Sequence, residues 1–150
     1  PGMMCYGYSP DGGRERGLRP VMTLVTKVVH LLDVPAGTGI GYGHTYVTPT
    51  SARLAVIPLG YGDGLFRSLS DRLVVRINGR DFPQRGRISM DLAVIEVDDG
   101  VKLDDDVYVF GERELCALDA DDIARLAGTI SYEITTAVAE RIERIAVHDG

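Results

Sequence analysis

Cysteine, histidine and lysine are scarce in this 150-residue sequence, and no apolar run approaches the ~20 residues that span a bilayer. Two cysteines, Cys5 and Cys116, are too few and too far apart for a disulfide framework, and their apolar neighbours lead us to expect reduced, packed thiols. Only His30, His44 and His148 are present, scattered and without ligand spacing, which makes a zinc site an unattractive reading. The formal net charge of -6 leaves no basic surface to neutralise a run of phosphates, so a nucleic-acid partner is not expected. One local group of basic residues, Arg14, Arg16 and Arg19, lies in a glycine-rich stretch and reads as a solvated loop. With neither a signal-peptide pattern nor an apolar span, the expected location is cytoplasmic, with no membrane partner.

What the chain does contain is a series of short β-type segments. Met22 to Leu32 is rich in β-branched residues and is bounded by Pro20 and Pro35, predicting one long strand with a buried face. Further strands are predicted at Arg53 to Leu59, Leu73 to Ile77, Leu92 to Val97 and Val107 to Phe110. Asn78-Gly79 is a hairpin signal, because a type I′ turn needs positive φ at both central residues, and the returning strand carries Arg80, Phe82 and Gln84. Asp104 to Asp106 reads as a solvated turn.

Helical periodicity appears only near the end. Asp119 is placed to cap a helix with Ile123, Leu126 and Ala127 on one face and Gly128 as its stop; Ser131 caps a second short helix through Thr135 to Val138. Arg141 to Val147 returns to a strand-like pattern. The expected fold is mainly β, a β-barrel-like domain with two short helices near the C-terminus.

Four clusters place reactive groups beside pliable backbone: Gly39 to Tyr46, Gly60 to Gly64, Gly86 to Asp91, and Ile130 to Glu133. The second lacks the Lys-Ser/Thr ending of a phosphate-binding P-loop, which removes that reading. In this order and spacing the four clusters resemble the C-terminal domain of alanine racemases, a pyridoxal-phosphate-dependent family. The likeness extends to Pro1-Gly2-Met3-Met4-Cys5-Tyr6-Gly7, to Leu18-Arg19-Pro20-Val21-Met22 and to Val34-Pro35-Ala36-Gly37.

The resemblance implies a division of labour. A racemase removes the α-proton from one face of an amino acid and returns one to the other, which calls for two acid/base groups. In the family one is the cofactor-holding lysine of an N-terminal barrel, and the other is a tyrosine from the partner subunit's C-terminal domain, matched here by Tyr42. An unperturbed tyrosine titrates near ~10, so a base of this kind needs nearby positive charge or donors, and His44 is the neighbour in sequence. Met90 matches the position whose main-chain amide helps hold the substrate carboxylate, and Tyr61 and Asp91 resemble residues of the substrate entrance. Tyr132 resembles the residue that restrains the cofactor phosphate, and Gly2 and Met3 match positions whose amides reach it, although residues at a chain end are expected to be poorly ordered. Ser89 stands where the family has a cysteine.

The first residue is Pro1, and the reading is of residues 1–150 as the C-terminal β domain of a longer chain whose N-terminal barrel is absent. Lys27 and Lys102 match no cofactor-binding motif, and the arginine that faces the pyridine nitrogen falls just before Pro1 in the family pattern. The isolated chain is therefore expected to bind no pyridoxal phosphate and to be inactive. The full-length protein is expected to be a homodimer that interconverts L-alanine and D-alanine for peptidoglycan supply, its partners being the other subunit's barrel and a small amino acid. The alternatives are a racemase of serine, lysine or arginine, and a non-catalytic, stand-alone β binding domain.

Overall fold

A computed structural model describes residues 2–9 and 17–147. Arg14 and Arg16 lie outside the described residues, as do Pro1 and His148. Among the described residues there are nine strands and two α-helices: β1 (Leu24–Lys27), β2 (His30–Val34), β3 (Gly39–Ile40), β4 (Tyr46–Val47), β5 (Ala52–Ile57), β6 (Val74–Ile77), β7 (Arg80–Arg85), β8 (Ala93–Val97), β9 (Asp106–Phe110), α1 (Ala120–Ala127) and α2 (Ser131–Ala137). Seven strands form one antiparallel sheet in the order β1-β9-β6-β7-β8-β5-β2, and β3 and β4 form a separate small hairpin.

The two edge strands of that sheet are neighbours in sequence, so the sheet is curled. The expected single strand from Met22 to Leu32 is broken at Val28 and Val29 because the chain there changes partner. Val28 donates its N–H to the Asp105 carbonyl beside β9, whereas Val29 donates to Val56 of β5. A straight strand cannot serve two edges, and the break is what brings those edges together in a barrel-like half-closed sheet.

Alternation inside the strands builds the core. Val75 and Ile77 of β6, Phe82 of β7, Ala93, Ile95 and Val97 of β8, and Val107 and Val109 of β9 are all buried in one cluster. At the turn between β6 and β7, Asn78 and Gly79 have φ of 51° and 74°, the conformation their hairpin requires. The acidic turn before β9 is organised as well as solvated: Asp105 accepts the Lys102 N–H and the Asn78 side-chain amide, and Asp106 pairs with Lys27 at 2.7 Å.

Helix α1 starts and stops where its sequence predicts. Asp119 accepts the Asp122 N–H at 2.8 Å, Asp122 returns the bond to the Asp119 N–H, and Gly128 ends the helix in the left-handed region. Ile123 is buried, with Leu126 and Ala127 packed partly against the same core. No helix among the described residues is long and apolar enough to cross a membrane.

Three further expectations need correction. Ser131 does not cap α2: Ile130 occupies the extended capping position, and Ser131 is already helical and buried. Arg141 to Val147 is not a strand: Arg144 donates to the Val138 and Ile142 carbonyls, turning the chain back, and Ile145 and Val147 are exposed. Cys5 is exposed on a 3-10 turn, so only Cys116 is a packed thiol. Met3–Tyr6 forms that turn, with the Met3 side chain buried in the core.

Candidate functional site

Three of the four clusters, those that contain glycine, converge because one segment, residues 86–91, touches the other two. It is held from below by the buried Gln84, whose side-chain amide donates to the Gly86 carbonyl, and by Asp71 and Ser70, which accept the Gly86 and Ile88 N–H groups at 2.6 and 3.0 Å. Its first half lies against the loop between β3 and β4. A Cβ on Gly41 would sit 2.8 Å from the Arg87 nitrogen, and one on Gly86 would sit 2.6 Å from the Ile40 carbonyl oxygen. Both glycines have positive φ, near 70°, so close backbone contact and left-handed geometry together exclude a side chain.

Its second half lies against the loop after β5. Tyr61 donates its N–H to the Ser89 carbonyl at 3.0 Å, and Gly62 donates to the Met90 carbonyl at 2.8 Å. A Cβ on Gly60 would approach both of those carbonyl oxygens to 2.3 Å. Tyr42, Tyr61, Met90 and Asp91 are thus set on two adjoining loop pairs sharing one rigid spine.

Each group is turned outward. Tyr42 is 72% exposed on the short Tyr42–His44 turn, and neither its hydroxyl nor that of Tyr61 has a hydrogen-bond partner among the described residues. The Met90 N–H also donates to nothing there, although its carbonyl is engaged. A free amide and free phenols on a fixed backbone can receive a carboxylate and handle a proton. His44 folds over Gly39, where a Cβ would meet its Cγ at 2.5 Å, while Arg87 brings a guanidinium nitrogen to 3.2 Å from the Cβ position of Gly43. Arg87 brings positive charge to the Tyr42 turn.

Beneath Tyr61 lies a charged joint that sequence reading missed. Asp63 is fully buried; one carboxylate oxygen accepts the Gly60 N–H at 3.0 Å, and the other lies 2.6 Å from Arg141 Nη2. That second contact is close in distance but lies outside hydrogen-bond angles, so we treat it as an ion pair. The same nitrogen is 3.4 Å from Asp91, and the Asp63 carbonyl accepts the Ala139 N–H. Arg141 therefore links the segment after α2 to both loops. Its signal in sequence was an aspartate set between glycines.

Tyr132, Gly2 and Met3 stand apart from this group. Tyr132 is half-exposed in the first turn of α2, whose far end abuts the second loop: a Cβ on Gly64 would be 2.4 Å from the Ala137 carbonyl oxygen. No hydrogen bond or ion pair among the described residues joins Tyr132, Gly2 or Met3 to the Tyr42 group. A cleft lined by Tyr8, Leu18, Arg19, Pro20, Arg113 and Asp119 lies elsewhere, beside the start of α1, and contains none of the seven candidate residues. No metal-binding cluster of His, Cys, Asp and Glu occurs among the described residues.

A curled β sheet that presents phenols and a free amide on interlocked glycine loops defines a class of domain that offers groups outward to a site. The family model described as alanine racemase, C-terminal domain, matches residues 21–146, and the chain belongs to that family. It is 43% identical over 148 residues to alanine racemase of Halothermothrix orenii, covering 96% of this chain and 39% of that protein. It is 45% identical over 137 residues to alanine racemase of Salinispora arenicola, covering 91% and 37%. Among solved structures, alanine racemase from Streptomyces coelicolor A3(2) superposes with a TM-score of 0.91 at 37% identity, over 99% of this chain and 40% of that one. Alanine racemase from Bacillus anthracis with bound L-Ala-P gives 0.89 at 35% identity, over 99% and 39%. The chain spans about 40% of the length of the relatives it matches.

Proposed function

We propose that this chain supplies the second acid/base group and part of the substrate site of a pyridoxal-phosphate-dependent alanine racemase. The observation that carries the reading is Tyr42: an exposed phenol whose turn is fixed by backbone contact to the segment that also carries the free Met90 amide. Membership of the alanine racemase family supports the reaction, and coverage of about 40% of the relatives supports an active site completed by a further domain.

The chemistry of the donor set fits a phosphate-bearing cofactor at one side only. Met3 begins a 3-10 turn, so its N–H has no partner within the turn, and the Tyr132 hydroxyl is free among the described residues; both suit a phosphate. The covalent anchor is not among this chain's lysines, since Lys27 is engaged by Asp106 on β1 and Lys102 lies in the turn leading to β9. The cofactor-holding lysine is accordingly assigned to the barrel of the partner subunit in a homodimer, and the isolated chain is inactive. When bound, pyridoxal phosphate supplies delocalisation of the charge left at the α-carbon.

In this reading Tyr42 Oη gives or takes the α-proton on one face of the amino acid. The Met90 N–H receives the substrate carboxylate and orients the α-carbon toward that oxygen. Tyr61 and Asp91 border the approach. The D-alanine formed would feed cell-wall peptidoglycan synthesis in the cytoplasm.

The test is Tyr42→Phe in the full-length enzyme, with exchange of the α-hydrogen against heavy water followed for each enantiomer of alanine. Loss of exchange from one enantiomer with retention from the other is expected of a one-sided base. Equal exchange from both would remove Tyr42 from the chemistry.

A further inference from the structure

Tyr42 rides on a hairpin too short to hold itself. Strands β3 and β4 contribute two residues each, and an isolated two-stranded ribbon is marginal even when longer. What lies outside the hairpin must therefore decide where its tip stands. On the approach to Tyr42 that support is backbone, the contact of Gly41 with Arg87. On the departure it is a side chain, Tyr46.

The Tyr46 hydroxyl donates to Glu96 Oε2 at 3.0 Å, and the same oxygen receives Arg85 Nε at 2.7 Å. The Arg85 guanidinium also stacks on the Tyr46 ring, 4.7 Å from its centroid. Glu96 and Arg85 belong to the paired central strands β8 and β7, and both side chains are only 29% exposed, so the joint is shielded from full solvent screening. Arg85 is followed directly by Gly86 and Arg87. One strand end thus grips the hairpin on both sides of Tyr42, by backbone before it and by the Tyr46 lock after it.

We propose that Tyr46, Glu96 and Arg85 form a positioning lock that sets the reach of Tyr42, a role for residues that touch neither substrate nor cofactor. The inference rests on the reading of Tyr42 as the one-sided base. Displacing a reacting group by a fraction of an ångström slows the step it performs and leaves other steps untouched. A residue that only supports the fold acts on both faces of the substrate alike.

The experiment compares Tyr42→Phe, Tyr46→Phe and Glu96→Gln in the full-length enzyme, with α-hydrogen exchange measured separately from each enantiomer and thermal midpoints recorded. Tyr46→Phe keeps the ring and its stacking on Arg85 and removes only the bond to Glu96. The expected result is a loss of about tenfold in exchange from the enantiomer affected by Tyr42→Phe, the other enantiomer and KM staying within about twofold. Glu96→Gln, which retains an acceptor for Tyr46 but not the charge facing Arg85, is expected to slow the same enantiomer by a smaller factor, and it carries the test should Tyr46→Phe fold poorly. Equal slowing of both enantiomers, or of neither, overturns the lock while Tyr42→Phe keeps its one-sided effect. Absence of that effect in Tyr42→Phe overturns the underlying reading, and the lock with it.

Discussion

Replacing Arg141 with methionine keeps the aliphatic stem but leaves the Asp63 carboxylate, fully buried, with the Gly60 N–H as its one hydrogen bond. Stripping one partner from a buried ion pair costs about 3–5 kcal/mol when both ends are desolvated. Arg141 is 60% exposed, so water partly takes the place of the lost cation, and the expected cost falls to about 2 kcal/mol. For a domain of this size that corresponds to a fall of roughly 4–8 °C in thermal midpoint.

Asp63→Asn removes the charge while keeping an oxygen for the Gly60 N–H. The two changes act on one contact, so the double variant is expected to be more stable than the sum of the singles requires, with a coupling of about 1–2 kcal/mol. Urea unfolding of the four proteins at pH 7, followed by circular dichroism, measures it. Additivity within about 0.5 kcal/mol would refute the assignment of Arg141 as the partner of Asp63. In the full-length enzyme the same Arg141→Met change should raise KM more than it lowers kcat, because the loops it joins carry Tyr61 and the Met90 amide.

Burial pushes the Cys116 thiol up to about 11, so the folded chain holds this proton more tightly than the unfolded chain does. The stability it contributes is complete below its ordinary value of 9.0 and is lost as pH rises through about 11; Cys116→Ala should lessen that fall by about 2 kcal/mol in urea titrations at pH 8 to 11, and an unchanged slope would show the thiol to be accessible. Gly60→Ala drives a Cβ to 2.3 Å from the Ser89 and Met90 carbonyl oxygens, neither of which can swing aside. A loss of about 2 kcal/mol is expected, with a raised KM in the full-length enzyme; wild-type stability would mean that the two loops do not interlock.

Much of the sheet was readable because its signals are local. Asn78-Gly79 needs only its own two φ angles, and Asp119 with Gly128 bounds α1 through neighbours within one turn. The break at Val28 was not readable, because it follows from two strands, β9 and β5, that lie far along the chain. Arg141 to Val147 has strand-like apolar spacing but pairs with no strand among the described residues, and a pattern without a partner does not make a strand. The same distinction divides the site. Tyr42 and Tyr61 each sit between two glycines that announce close backbone contact. The groups that brace them, Arg141 across 50 residues to Asp91 and Tyr46 across 50 residues to Glu96, are linked only by the fold.

We propose that Tyr42 acts in an active site whose cofactor-holding lysine belongs to the other subunit. The direct measurement mixes two full-length inactive proteins under subunit exchange, one carrying Tyr42→Phe and the other lacking the cofactor-holding lysine of its barrel. If sites are shared across the dimer, each mixed dimer has one site with both groups intact, and activity should return to about a quarter of the wild-type level, since half of the dimers are mixed and one site in two is whole. If Tyr42 served its own subunit, every site would still lack one group, and the mixture would stay inactive.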